Sequence, residues 1–212
     1  MKSRSLVIAS LSVVLAVLVC PGAAAENGRK LSLGLGAGGG PVGAPSWPSW
    51  RAGFEMGLRF CGHLALAAGV SYGALSVSTS SSAGSYSARE DQTWTALPVT
   101  LVARYEAPLS DRAIISLGAG AGYHSFSRKI ESETNAYGTP LSSSTESSFH
   151  AWAPQAEIGL EILLGKAFSL TGGLRYEFGI ASQESTVNGI SSVQEFSFGG
   201  PSLVIGARVY LF

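Results

Sequence analysis

Trp50-Arg51-Ala52-Gly53-Phe54-Glu55-Met56-Gly57-Leu58-Arg59-Phe60 is the stretch that decides the fold. Its even positions are apolar or aromatic, and its odd positions are charged or glycine. A period of two marks a strand with two unlike faces. The face of Trp50, Phe54, Met56, Leu58 and Phe60 is too apolar for water. The face of Arg51, Glu55 and Arg59 is too charged for a dry core unless its charges are paired. Lipid outside and a polar lumen inside satisfy both faces at once, as in the wall of a transmembrane β-barrel.

The alternation recurs along the chain. Eight segments carry it, at about 29–38, 50–60, 64–76, 92–106, 113–126, 149–164, 168–180 and 196–212. Seven connections join them, at 39–49, 61–63, 77–91, 107–112, 127–148, 165–167 and 181–195. They run long, short, long, short, long, short, long, the rhythm of external loops and periplasmic turns. Both termini then lie on the periplasmic side. Each segment is long enough for the ~9–11 residues that a tilted strand needs to span a bilayer. The fold expected is all-β: an eight-stranded antiparallel up-and-down transmembrane β-barrel. A soluble lipocalin-like barrel is the rival, since it also has eight strands. It would turn the apolar face inward and leave Arg51, Glu55 and Arg59 outside.

Composition agrees with a membrane wall. Charged residues are 13% of the 212, against about 25% in a soluble domain. Formal net charge is zero, so nothing in the charge argues for nucleic acid. Residues 1–25 read as a secretory signal. Lys2 and Arg4 precede the apolar run 6–19, and Ala23-Ala24-Ala25 supplies small residues before a cut. The run is short for a membrane helix, which needs about 20 residues. The mature barrel domain is then 26–212, starting at Glu26, with twelve basic and fourteen acidic residues. Cys20 has a competing reading as a lipoprotein acylation site, against which stands the bulky Val19 before it. Otherwise Cys61 is the lone mature cysteine, and no disulfide framework is expected.

The chain ends Gly206-Ala207-Arg208-Val209-Tyr210-Leu211-Phe212, on an aromatic with another two residues earlier. This resembles the C-terminal sorting signal of bacterial outer-membrane barrels. Leu97-Pro98-Val99-Thr100-Leu101 and Gly118-Ala119-Gly120-Ala121-Gly122-Tyr123 resemble strands of the small eight-stranded OmpA/OmpX-type family. The resemblance implies residence in the cell outer membrane of a Gram-negative-type envelope after signal cleavage. It also implies a monomer surrounded by outer-membrane lipid, whose C-terminal strand is recognised by the barrel-assembly machinery. One departure stands out. Leu203, Ile205, Ala207, Val209 and Leu211 form a clean outward face, which turns Tyr210 and Phe212 inward with Arg208. The family usually turns those aromatics to lipid.

The inward positions carry Lys30, Arg51, Arg59, Arg104, Arg175 and Arg208, against Glu55, Glu106, Glu157, Glu161 and Glu177. Residues four apart on one strand are about 13 Å apart, at roughly 3.3 Å per residue, so partners must come from other strands. The turn at 61–63 sets paired residue numbers that sum to 124, so Arg51 faces Gly73, Glu55 faces Gly69 and Arg59 faces Ala65. The turn at 165–167 sets Glu157 opposite Arg175. These eleven charges read as a structural plug, because side chains fill a lumen of eight strands. The alternative is a narrow channel, or a carrier for small hydrophobic solutes.

Catalysis is weighed at His124 and Ser127, since some eight-stranded outer-membrane enzymes act on lipid A with a His/Ser pair. His124 is predicted to face the lumen, and no orienting carboxylate is evident. Cys61-Gly62-His63 is too small a set to hold a metal by itself. No catalytic residue, cofactor or metal is expected. Trp50, Trp94, Trp152, Tyr72 and Tyr123 read as an outer aromatic girdle, with Phe60, Tyr105 and Phe168 as an inner one; a carbohydrate-binding aromatic face is the alternative. The Ser/Gly/Thr-rich loops could hold a surface ligand. The role expected is structural or interactive, a porin-like barrel of the cell envelope rather than an enzyme.

Overall fold

A three-residue turn leaves little freedom in how its flanking strands pair. In the computed structural model, which describes residues 31–41, 48–60, 62–137, 139–187 and 190–211, the Phe60 amide donates to the Leu64 carbonyl at 2.8 Å. Arg51 then lies opposite Gly73, Glu55 opposite Gly69 and Arg59 opposite Ala65. At the other short turn the Leu164 amide donates to the Phe168 carbonyl at 3.0 Å, and Glu157 lies opposite Arg175. Both registers are the ones that the turn lengths require.

The strands are β1 (Leu31–Pro41), β2 (Pro48–Arg59), β3 (Leu64–Ala83), β4 (Tyr86–Ser110), β5 (Ala113–Ala136), β6 (Thr139–Leu163), β7 (Phe168–Val187) and β8 (Ile190–Leu211). Each pairs antiparallel with the next, and β1 pairs with β8, closing an eight-stranded barrel. Leu35, Phe54, Met56, Val99, Leu160, Leu174 and Ile205 all lie on its outer wall, exposed. So many large exposed apolar side chains suit lipid and not water. The lipocalin-like rival, which needs them inside, is thereby set aside. The signal segment, Cys20, Glu26, Lys30, Cys61, Phe212 and residues 42–47 lie outside the described residues.

Two expectations are corrected. The connections 77–91, 127–148 and 181–195 are not loops. The ladders continue outward, β3–β4 unbroken from Gly73 opposite Ala96, to Ala83 opposite Tyr86, Ala136 opposite Thr139 and Val187 opposite Ile190. Serine-rich composition suggested turns. An antiparallel ladder already in register needs no new closure to grow, and hydroxyls add cross-strand contacts such as Ser76 to Thr93 at 3.3 Å. At the β3–β4 tip Gly84, at φ 59°, takes the first central position of a two-residue turn, where a positive φ favours glycine. The second correction is Trp94. It is 8% exposed and faces the lumen, not lipid. Its even number on β4 gives it the parity of inward Arg104 and Glu106.

The outward extensions are uneven. β3 to β6 stay paired with one another to their tips. β6 and β7 pair only from Gln155–Glu177 down to Leu163–Ser169. Above that rung the described residues form two units, a four-stranded sheet and the β7–β8 hairpin.

Candidate functional site

Strand alternation sends the odd positions of β2, β6 and β7 and the even positions of β4, β5 and β8 into one lumen. There the described residues place five arginines and five glutamates, all but Lys30 of the charges expected inside. Nearest the short turns, Arg59 is ion-paired with Glu106. Arg208 reaches Glu161 at 2.7 Å, Glu55 at 3.1 Å and Glu106 at 3.7 Å. The Tyr210 hydroxyl donates to Glu161 at 2.5 Å, so Tyr210 points inward. Phe212, set beside it by the sequence, lies outside the described residues. Arg104 binds Glu55 through both terminal nitrogens and also bonds Glu157. Arg175 closes the chain onto Glu157 at 3.1 Å. Eight charges from β2, β4, β6, β7 and β8 thus form one continuous network across the barrel. Arg51 and Glu177 make a separate pair at 2.6 Å, one layer further out.

Such charges are far too costly to bury singly, and the arrangement holds because every one has a partner. Small neighbours make room: Gly73, Gly69 and Ala65 stand opposite Arg51, Glu55 and Arg59. Two cavities of about 110 and 90 Å³ border the network. Glu55 and Arg175, both held in ion pairs, line the two cavities together.

A second layer was not expected. Above the charges, Trp94, Phe126, Phe149 and Phe198 pack with Ala96, Ala151, Ala153 and Ala181 inside the barrel. Trp94 stacks on Phe149 with centroids 6.0 Å apart, and Phe126 meets Phe198 edge-on at 4.7 Å. The Arg128 guanidinium lies 5.0 Å over the Trp94 ring. Phe198 fits because residue 179 is glycine: a Cβ there would lie 2.2 Å from its ring. The signal was present in the parity of each strand carried a few residues outward. Phe126, Phe149 and Phe198 lie at the outer ends of the strand segments read from the sequence, with inward parity; Trp94 alone is read there as part of the girdle, and Ala181 alone falls in a connection.

Between the layers lies a rung of buried polar groups. His124 is 1% exposed and stacks on Phe126 at 5.7 Å. Neither of its ring nitrogens has a protein hydrogen-bond partner, and the same holds for the Gln155 amide and Glu177 Oε1. The structure does not join His124 to Ser127. Strand alternation puts them on opposite faces of β5, and the Ser127 hydroxyl donates to Glu146 at 3.2 Å. His63 Nδ1 lies 2.9 Å from the Glu106 carbonyl oxygen. No cluster of metal-ligating side chains occurs among the described residues.

The outer wall carries its aromatics in contact pairs. Trp50 meets Tyr72 at 6.3 Å and Tyr123 meets Trp152 at 5.1 Å, near the outer mouth. Tyr105 and Phe168 are exposed near the short turns.

Residues 10–200 match the family model of the outer membrane protein beta-barrel domain. The chain belongs to that family. Two solved structures show the same fold. Neisserial surface protein A superposes with a TM-score of 0.51 at 15% identity, over 85% of this chain and 97% of that one. The outer membrane protein OprG from Pseudomonas aeruginosa gives 0.51 at 12% identity, over 86% and 96%. No curated protein sequence matches the chain. As an outer-membrane barrel, the chain has its apolar wall in the outer membrane and its two internal layers across the lumen.

Proposed function

We propose that this barrel is a closed platform that presents its outer hairpins to the cell exterior, with a structural and interactive role rather than an enzymatic one. The observation that carries this is the doubly blocked lumen. Ion pairs cross it in one layer and aromatic rings fill it in the next, while three hairpins continue past the lipid band. A wall that is shut and hairpins that are exposed direct function to the hairpins. The separation of His124 from Ser127 supports the non-enzymatic reading. In this reading the leader 1–25 is removed, the barrel-assembly machinery takes hold of the C-terminal strand, and the barrel stands as a monomer in lipid.

The test uses the full mature protein folded into lipid. Planar bilayers should show no steady conductance, and overexpression should leave lipid A unchanged. Replacing 131–142 with a short turn should keep the folded, heat-modifiable band on a gel and abolish binding to the exterior partner. Steady conductance, or a lipid A change that His124→Ala removes, would overturn the proposal. A second reading, a carrier for small hydrophobic solutes, has one observation in its favour. The β6–β7 ladder ends at Gln155–Glu177, beside the internal aromatic layer. Uptake of a small apolar dye into vesicles, blocked by a disulfide across that seam, would favour it.

A further inference from the structure

The β3–β6 sheet ends in a summit that is built differently from the rest of the barrel. The Tyr137 amide donates to the Ser85 carbonyl at 3.3 Å, tying the tips of two hairpins together. Tyr137 holds φ at 52° without being glycine, and its side chain is 91% exposed. A non-glycine residue in the left-handed region persists only where its surroundings hold it there. Here the two-residue turn between the paired Ala136 and Thr139 requires the positive φ, the tie to Ser85 adds to it, and the ring is delivered to solvent. Tyr86 and Leu141 are also exposed at this end of the sheet. A depression of about 590 Å³ runs across the four strands just below, lined among others by Ser80, Ser82, Ser87, Arg89, Glu133 and Asn135. Exposed tyrosine beside small serine and asparagine groups is the chemistry of adaptable binding surfaces. The ring supplies contact area with few torsions to freeze, and the small groups supply hydrogen bonds.

Charge narrows the occupant. By strand alternation Arg89, Asp91, Lys129, Glu131, Glu133 and Glu146 share one face of this sheet. Arg89 is already paired with Asp91 at 2.9 Å and Lys129 with Glu131 at 2.6 Å. Ser78 and Arg89 hold the Asp91 carboxyl below its ordinary range, in that order of effect once burial is set aside. Glu146 accepts the Ser127 hydroxyl, and Glu133 makes no ion pair among the described residues. The face therefore has two acidic groups in excess and both cations engaged. It repels a polyanion. It offers hydroxyls and a carboxylate acceptor to a ligand rich in hydroxyl groups.

We propose that this summit is a binding site for a neutral oligosaccharide. Tyr137 is the platform for the apolar face of one sugar ring, and Glu133, about 13 Å back along β5, accepts hydrogen bonds from the hydroxyls of another sugar unit of the same chain. The site rests on the reading that the hairpins carry the activity. The full mature protein in lipid nanodiscs is presented to an array of neutral oligosaccharides that includes chitotetraose and maltoheptaose, with a heparin hexasaccharide as the polyanion. The strongest neutral binder is then measured by calorimetry.

Binding of a neutral oligosaccharide is expected, insensitive to high salt, because no net charge is neutralised. It should weaken at least tenfold in both Tyr137→Ala and Glu133→Gln and be unchanged in Trp50→Ala. The folded band should be kept throughout. No neutral binder, binding by heparin alone, or binding indifferent to Tyr137→Ala would each overturn the proposal. Loss of a protein partner on shortening 131–142, with no sugar bound by the intact chain, would overturn the sugar site and leave the hairpin reading standing. Sugar binding that survives the shortening would overturn the summit site and leave the hairpin reading to the other two hairpins.

Discussion

At Glu157 the lumen network has a shared node, which makes its two sides unequal. Glu157 holds Arg104 and Arg175 together. Arg104 keeps Glu55 when Glu157 is removed, but Arg175 has no other ion pair among the described residues. Glu157→Gln therefore strands one arginine and weakens another. Arg175→Gln leaves Glu157 still paired with Arg104. Removing one partner of a buried pair costs about 3–5 kcal/mol, and less where water reaches the site. The expected order in urea unfolding from lipid is that Glu157→Gln costs several kcal/mol and Arg175→Gln about 1 kcal/mol or less. Equal losses would mean a simple pair. The register of Glu157 with Arg175 was legible from the turn at 165–167. The third member was not, because Arg104 lies on β4, and no short turn relates β4 to β6.

At the scale of the strand, alternation decides which substitutions are tolerated. Leu160 projects from the middle of β6 onto the lipid wall. Thr171, opposite Glu161, lines the 110 Å³ lumen cavity instead. Leu160→Arg should cost about 2–4 kcal/mol, the usual penalty for a cation on the lipid face near the midplane. Thr171→Lys should be milder, because Glu161 stands opposite to receive the ammonium. Equal penalties in a folding titration would contradict the two-faced strand. Gly69 is a poorer host for lysine, since a Cβ there already lies 3.0 Å from Thr100 Oγ1 and 3.3 Å from the Phe54 carbonyl oxygen.

The faces were legible at this scale because lipid and lumen select opposite chemistries residue by residue. The strand ends were not. Beyond the lipid both faces are wet, the alternation Arg51/Phe54 gives way to serine on either side, and composition stops reporting the ladder. Trp94 was misplaced for a related reason: position along the strand suggested a girdle, while parity put it inside.

Across the whole molecule the two internal layers stand in series, and a series block has a distinct mutational signature. The ion network can be thinned without stranding a charge. In the double change Glu55→Ala with Arg104→Ala, Arg208 keeps Glu161 and Glu106, and Glu157 keeps Arg175. Replacing both partners avoids the penalty of an uncompensated ion. The aromatic layer can be thinned by Phe126→Ala with Phe198→Ala, which removes two rings in edge-on contact. A permeating ion must pass both layers, so either double change alone leaves the path shut. The four changes together should open it, because eight strands enclose a lumen that only side chains fill. Planar bilayer recordings are expected to be silent for the native chain and for each pair of changes. The combined variant should conduct steadily, provided that its folded band on a gel shows an intact barrel. Conductance from the network pair alone would mean that the aromatic layer is no barrier. A silent but folded combined variant would mean that the remaining pairs, Arg59–Glu106 and Arg51–Glu177 foremost, suffice to close the barrel.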